Sequence, residues 1–561
     1  MKLFRIPNSL IILFIIFLLG TTVRFIGLGQ NPVGIVDDEA DTAYDAYSLI
    51  RTGKDQWGTY MPITSFRGFG DYRLPAYTYL SVPAIAAFGL TPFAVRMPAA
   101  VFGSLTIFLV YWLVKELFGR LSESLPLLSA FLLAISPWHV GMSRIGLEET
   151  TSVFFVTAGL LALLKGRERP MWLLVGSVLF AISLYIYTPN ILLVPFLFIA
   201  VVYFFRAQYK RLRRYVLLGA CSFFLVVLPI LFAQGNSTAS TRTRQVNFTN
   251  DSGTIDIVNE KQGACLLMFP RTLCRVVFNK YNAFGTKFIS NYLNHFSPNL
   301  LSIYGTNTQY SILPGRGLLY VVDYSLLIVG LIAVFVNPMP GGLLLAAFLF
   351  FSAVPDSLTS DGQFGRFFVS YPTWPILSAF AIVFIANKFQ NYRAVLSAVV
   401  VLFCLAFTNF LVEYWTFFPY RYSAYSHYGY ESLIGEIQNN IHSYDRIVAS
   451  SRVNDSKQYI YYLFYTRYDP VLFQSGKGIE KVLESNGWVR VKRINSIEFL
   501  PVLPGRDETL NERVLLIGAP AEFPKAVPTV VPAIPIPVEF TVKDKAGNIL
   551  FEGVDSAKLY L

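Results

Sequence analysis

Charge is scarce in this chain. Asp, Glu, Lys and Arg supply 14% of its 561 residues and hydrophobic residues 54%, with a mean hydropathy of +0.48, whereas a soluble domain carries roughly a quarter charged residues. That deficit excludes an ordinary soluble protein and places most of the chain in lipid. Cysteine is sparse too: four residues are too few for a disulfide scaffold. Cys221 and Cys404 fall inside apolar segments, while Cys265 and Cys274 share one polar loop, where a disulfide is open if the loop lies outside the cell membrane. The four histidines, His139, His295, His427 and His442, are scattered. No Gly-rich phosphate loop ending in Lys-Ser/Thr, no dinucleotide fingerprint, no HExxH and no paired-cysteine zinc spacing occurs. Nucleotide-driven transport and zinc hydrolysis therefore have no support. The net charge of +11 sits in short connections between apolar segments, with no aromatic-interleaved basic stretch outside them. Membrane topology accounts for it better than nucleic acid, which is not expected as a partner.

What is abundant is long apolar sequence. A hydrocarbon core about 30 Å thick needs about 20 mostly apolar residues per helix. Such segments occur to about Leu28 and near 97–118, 123–137, 147–164, 171–187, 190–205, 215–233, 317–336, 341–354, 367–387 and 393–412, about eleven spans. The first run lacks a clean small-x-small cleavage site and reads as an uncleaved span rather than a signal peptide. With a cytoplasmic amino terminus, the basic clusters at Lys2 and Arg5, Lys115 and Arg120, Lys165 to Arg169, Arg206 to Arg214, and Lys388 and Arg393 all fall on one side. Loops 29–96, 234–316 and 355–366, and the tail from 413, then lie outside a plasma membrane.

The expected division is a transmembrane domain over 1–412 and an extracytoplasmic α/β domain over 413–561. In the tail, YESLIGEIQNNI has a helical pattern, DRIVASS and ERVLLIGA read as buried strands, and VEFTVKDKAGNILFE alternates about a turn at AGN. The Pro-rich PTVVPAIPIP reads as a linker or edge segment. The tail carries no obvious catalytic motif.

Chemistry is expected in the outer loops. Asp37, Asp38 and Glu39 follow the first span, and Ala40, Ala43, Tyr44, Tyr47 and Ile50 continue at helical spacing to a stop at Gly53. The pattern predicts a short amphipathic helix on the membrane surface. Structurally, Asp38 would cap that helix and Glu39 complement its dipole. Chemically, one of these carboxylates could accept a proton from an attacking hydroxyl. Downstream, Asp71, Arg73 and Arg96 approach the next span, where single arginines serve as anchors but several together make a phosphate site. The element SPWHVGMSRIGLEETT brings His139, Arg144, Glu148 and Glu149 between two apolar segments, as a surface pair of Arg144 and Glu148 or as a pocket wall. Lys287, Tyr292 and His295 lie among aromatics in KFISNYLNHFSPNLLSIYG, and Asp361 and Arg366 in PDSLTSDGQFGRFF. An interfacial aromatic belt is the plain account of the former.

The ordered pieces DDEADTAYDAYSLIRTG, DYRLPAYTYL, VRMPAAVFGSLTIFLVYWLVKELFG and SPWHVGMSR resemble glycosyltransferase family 39, the dolichyl-phosphate-mannose protein mannosyltransferases and aminoarabinose transferases. The NYLNHFSP and PDSLTSDGQFGR segments are similar to those of prokaryotic members. The resemblance covers roughly residues 1–410 and leaves out the tail. It implies an α-helical polytopic membrane protein with a C-type glycosyltransferase fold, and a polyprenyl-phosphate-linked sugar as donor. It also implies Asp38 as general base with Glu39 in support, at the family's Asp-Glu pair. Arg73 stands where relatives often have Lys or His.

Displacing a sugar from a polyprenyl phosphate needs a base on the nucleophile and cations on the departing phosphate, but no strong acid. Arg73, Arg96, Arg144, Lys287 and Arg366 are candidates for the phosphate; Asp37, Asp71, His139, Glu148, Tyr292 and His295 complete the candidate substrate site. No metal site and no obligate cofactor is expected, although a divalent cation stays open; membrane lipid is an expected partner. A one-step transfer inverts the anomeric centre. The acceptor is a hydroxyl of a protein, lipid or glycan. The competing readings are a transporter or flippase, a non-catalytic scaffold, and an oligosaccharide ligase or polymerase using a diphosphate-linked donor. A transporter would carry charges in mid-span, broken helices and repeats, whereas here the polar residues mass in loops.

Overall fold

The computed structural model describes residues 9–70, 72–119, 121–235, 252–306, 315–359, 364–389, 391–423, 426–454, 457–484, 488–502, 512–524 and 536–559. Lys2, Arg5, Asp71, Arg120, Asp361 and most of the Pro-rich segment lie outside them.

Each of the eleven apolar segments contains a helix. They are α1 (Ser9–Phe25), α4 (Pro92–Phe118), α5 (Ser124–Ile135), α7 (Glu148–Lys165), Met171–Leu184, Asn190–Phe204, Arg213–Gly235, Val321–Val336, Pro340–Ser352, Thr373–Ala386 and Tyr392–Val412. The first outer loop adds α2 (Asp37–Thr52) and α3 (Ala76–Phe88), and α6 (Pro137–Met142) links α5 to α7. Among the described residues, four helices are long and apolar enough to cross a membrane: Pro92–Phe118, Arg206–Ala233, Pro340–Ser357 and Tyr392–Tyr422. Seven shorter apolar helices accompany them, among them Ala76–Phe88, inside the stretch 29–96 expected as an outer loop.

The chain forms two compact units. The first contains residues 1–24, 99–143 and 148–410, and is helical. The second contains 25–98, 144–147 and 411–561, so the first outer loop folds with the tail.

The second unit is built on a seven-stranded sheet. After a small hairpin of β1 (Phe66–Arg67) and β2 (Tyr72–Arg73), its strands are β3 (Arg446–Ser450), β4 (Ile479–Leu483), β5 (Val489–Ile494), β6 (Ile497–Leu500), β7 (Val514–Gly518), β8 (Phe540–Lys543) and β9 (Ile549–Asp555). Their order is β4-β5-β6-β3-β7-β9-β8, with β3 parallel to β6 and β7 and the remaining pairs antiparallel. The helix at Tyr430–Asn440, the buried strands and the hairpin about AGN agree with the sequence reading. Side-chain alternation explains how both sheet faces are covered. Ile447, Ala449, Leu515 and Ile517 join one core with Ala40, Ala43 and Tyr44 of α2. Val448, Val514 and Leu516 face a second, smaller core with Phe523 and Val554.

This core corrects two expectations about α2. It is not an amphipathic helix with a free polar face: eleven of its sixteen residues are buried, Asp37, Glu39, Asp41 and Asp45 among them. Nor does Asp38 cap it. The helix begins at Asp37 after Val36, and Glu39 reaches back to accept from the Val36 N–H at 3.2 Å. The stop at Gly53 is as expected, with φ of 68° in the left-handed region where glycine carries no Cβ penalty.

Candidate functional site

The acidic triplet heads α2, where the unsatisfied N–H groups and helix dipole favour negative charge. Its three members have different surroundings. Glu39 is 1% exposed and fully engaged. Its Oε1 accepts from Arg96 Nε at 2.8 Å and the Gly146 N–H at 2.6 Å, and its Oε2 from Arg96 Nη2 at 3.0 Å. Asp37 is 2% exposed and accepts from Lys457 Nζ at 2.7 Å. Asp38, between them, is half-buried.

Arg96 and Arg144 hold the segment that delivers the triplet. Besides Glu39, Arg96 donates to the carbonyls of Leu28, Pro32 and Gly34 at 3.2, 2.8 and 2.7 Å. A guanidinium has five N–H groups, and all five are engaged. Arg144 donates from Nε to the Tyr414 hydroxyl at 3.0 Å and from Nη2 to the carbonyls of Ile26 and Asn31 at 2.8 and 2.7 Å. It also lies over the rings of Tyr414 and Trp415. These two arginines, expected at the carrier phosphate, meet the backbone carbonyls of Ile26, Leu28, Asn31, Pro32 and Gly34 and so fix the approach to α2.

Arg73, another candidate for the phosphate, is held by carboxylates. It meets Asp41 at 2.7 Å and Asp45 at 2.6 Å and donates to the Thr42 hydroxyl. Gln56 donates to Asp41 from its side chain at 2.5 Å and to Asp45 from its backbone at 3.0 Å. Burial pushes the Asp45 carboxyl well above the usual range; Arg73 opposes that and Asp41 adds to it. This network ties the β1–β2 hairpin to α2 and neutralises the Arg73 charge inside the unit. Asp71 lies outside the described residues.

The tail contributes residues that no local motif announces. Gly34, with φ of 73°, passes so close to 426–428 that a Cβ would stand 2.5 Å from the Ser426 carbonyl oxygen. His427 itself has φ of 55°, uncommon for a residue with a side chain. Its ring packs on Tyr430 and Tyr461. Burial pushes the imidazole below its ordinary pKa; Asp37 and Asp38 oppose this and Lys457 reinforces it. Lys457 also lies over the Phe69 and Trp488 rings. Only a contact map identifies Lys457 and His427, because both reach the triplet from about 400 residues downstream.

The first unit holds a separate cluster. Asp356, fully buried, accepts from His295 Nε2 at 2.7 Å and Arg366 Nη1 at 3.0 Å. His295 Nδ1 meets the Asn291 carbonyl at 2.7 Å. Both ring nitrogens thus face oxygen atoms. Arg366 also donates to Thr359 Oγ1 at 2.8 Å, and its side chain stays 16% exposed. Beside Arg366, a Cβ at Gly365 would stand 3.3 Å from Glu149 Oε1 and 3.9 Å from the Tyr187 hydroxyl. The structure therefore brings together His295 and Arg366 and adds Asp356, Glu149 and Tyr187.

Three further candidates stand apart from that cluster's hydrogen bonds. His139 Nδ1 accepts from Arg24 Nη2 at 2.8 Å, in an aromatic setting with Phe368 and Tyr371. Burial and Arg24 keep its pKa well below the usual value, which suits a neutral structural imidazole. Tyr292 donates to the Phe350 carbonyl at 3.0 Å and packs on Phe288 and Phe296, a packing role. Lys287 lines a cavity of about 620 Å³ with Lys261, Thr254, Asn282 and Ser290. Among the described residues no group of three His, Cys, Asp or Glu side chains is placed to hold a metal ion.

Residues 75–232 match the family model described as dolichyl-phosphate-mannose-protein mannosyltransferase. No curated protein matches the chain. Among solved structures the fold is similar to ArnT from Cupriavidus metallidurans bound to undecaprenyl phosphate, at 14% identity and a TM-score of 0.53, over 99% of this chain and 100% of that one. It is also similar to the apo state of ArnT from the same organism, at 12% identity and a TM-score of 0.52, over 98% of each chain. The tail falls within this matched length, while the family-model match ends at residue 232.

Proposed function

We propose that the chain is a family 39-like membrane glycosyltransferase that transfers a monosaccharide from a polyprenyl-phosphate carrier to an acceptor hydroxyl on the extracytoplasmic face. The undecaprenyl phosphate bound to ArnT supports that donor class. The proposed topology is multi-pass with about eleven spans, basic clusters inside, and the acidic triplet and tail outside, in a plasma membrane.

The observation that carries the catalytic reading is the contrast within the triplet. Asp37 and Glu39 are buried on cations, and Asp38, between them, is only partly buried. Asp38 is the proposed general base. It takes the acceptor O–H proton as that oxygen attacks the anomeric carbon; the carbon–oxygen bond to phosphate breaks, and the polyprenyl phosphate leaves with the electron pair as a stable anion. One displacement inverts the anomeric centre. Glu39, Arg96 and Arg144 are positioning residues in this scheme, and precise placement of a base is worth orders of magnitude in rate. Arg366 and Lys287 are the proposed cations for the carrier phosphate, with Glu148 and His295 supporting Arg366.

The test is transfer of radiolabelled sugar in membranes containing the full-length protein, supplied with polyprenyl-monophosphate and polyprenyl-diphosphate sugars. Label moving from a monophosphate donor is the expected result. Label moving only from a diphosphate donor would replace this reading with an oligosaccharide ligase or polymerase.

A further inference from the structure

The outer loop between the helices Arg213–Gly235 and Val321–Val336 carries a feature that the proposed chemistry leaves unused. Two helices, Ser252–Leu266 and Arg271–Val277, form a hairpin closed by a disulfide between Cys265 and Cys274, whose Cα atoms are 5.7 Å apart. The bridge thus realises the pairing that the sequence left open. The turn it closes is apolar and turned outward. Leu267 is 85% and Met268 84% exposed, and Leu266, Phe269, Val276 and Val277 are 46–69% exposed. Single exposed apolar side chains are ordinary, but a contiguous patch of them marks a surface that something covers.

Two observations identify what covers it. First, the loop runs into helices whose own apolar side chains are exposed on either side, Leu225 at 70% before it and Val321 at 66% after it. In a membrane protein such surfaces face acyl chains. Second, residues 252–303 carry Lys261, Arg271, Arg275, Lys280 and Lys287 against Asp256 and Glu260, a net of +3. Arg271 and Arg275 sit on the hairpin's second helix, directly beside the apolar turn. An apolar tip collared by arginine matches the boundary of acyl chains and anionic headgroups.

We propose that this hairpin docks on the outer leaflet, with Leu267 and Met268 inserted among acyl chains and Arg271 and Arg275 on anionic phospholipid headgroups. The disulfide holds the turn in one conformation, so little ordering entropy remains to oppose insertion. The long outer loop is thereby anchored at its middle as well as at its ends. The inference rests on the reading of the chain as a membrane enzyme.

The experiment places the photoreactive residue benzoyl-phenylalanine at Met268, Leu225 or Lys477 in the full-length protein, reconstituted in nanodiscs of phosphatidylethanolamine and phosphatidylglycerol. Lys477 is an exposed residue of the tail. After irradiation, adducts are identified by mass. The expected result is phospholipid adducts at Met268 and Leu225, each at least fivefold above Lys477. Lipid adducts at Leu225 with a Met268 yield equal to that of Lys477 would overturn the docking proposal alone. Adducts at Met268 to a second copy of the chain would overturn it in favour of a protein interface. Failure at both Met268 and Leu225 would remove the membrane reading together with the proposal.

Discussion

Arg96 and Glu39 form a two-point ion pair, Nε to Oε1 at 2.8 Å and Nη2 to Oε2 at 3.0 Å, with both side chains 1% exposed. This pair fixes where the acidic triplet stands. Removing one partner of a buried pair leaves a charge with neither water nor counter-ion. Arg96→Met is therefore expected to destabilise the fold by about 3–5 kcal/mol. Thermal unfolding in detergent checks this; an unchanged melting temperature would contradict it.

Lys457 and Asp37 join the tail to the triplet at 2.7 Å. Lys457→Met strands a buried carboxylate and is expected to cost about 1–3 kcal/mol. Asp37→Asn added to it should recover much of that loss, because the stranded charge is then gone. A double-mutant cycle on unfolding measures the coupling, and strictly additive effects would show that the two side chains do not interact.

His427 makes stability depend on pH. Its folded pKa is depressed, chiefly by burial, so the unfolded state takes up a proton first as pH falls. The contribution is fully present above the ordinary histidine value of about 6.5 and is lost as pH drops through the folded pKa. His427→Gln is expected to flatten the fall in melting temperature below about pH 6.5. A variant that loses stability as steeply as wild type would assign the dependence elsewhere.

Arg73 and Arg366 should separate in their effects. Arg73 is paired inside the second unit with Asp41 and Asp45, whereas Arg366 keeps part of its side chain open. Arg73→Met is expected to lower the melting temperature. Arg366→Met is expected to raise the donor Kd about tenfold, the scale of one charge-assisted contact of about 1.4 kcal/mol. Donor binding to purified protein and thermal unfolding distinguish the two, and a normal donor Kd for Arg366→Met would remove it from the phosphate site.

Features carried by local pattern were legible in the sequence. The eleven apolar segments each contain a helix, Gly53 ends α2, and the strands Arg446–Ser450 and Val514–Gly518 lie where uninterrupted apolar runs put them. Residues at helical or strand spacing carry that information in their immediate neighbours. The helix Ala76–Phe88 escaped because it is only 13 residues long and contains Pro83. The roles of the arginines were not legible, because a buried guanidinium and a phosphate-binding one have the same local sequence. Only the carbonyls of 26–34, brought to Arg96 and Arg144 by folding, tell them apart. Lys457 had no signal at all: a lone lysine becomes informative when Asp37, 420 residues away, is seen beside it.

The most direct measurement compares transfer by Asp38→Asn, Asp37→Asn and wild type at saturating donor, with donor Kd measured on the same preparations. If Asp38 is the base, Asp38→Asn lowers kcat by about a hundredfold or more and leaves donor Kd within about twofold, while Asp37→Asn retains turnover. Wild-type kcat in Asp38→Asn, or loss confined to Asp37→Asn, would contradict the account and move the base elsewhere in the triplet or out of it.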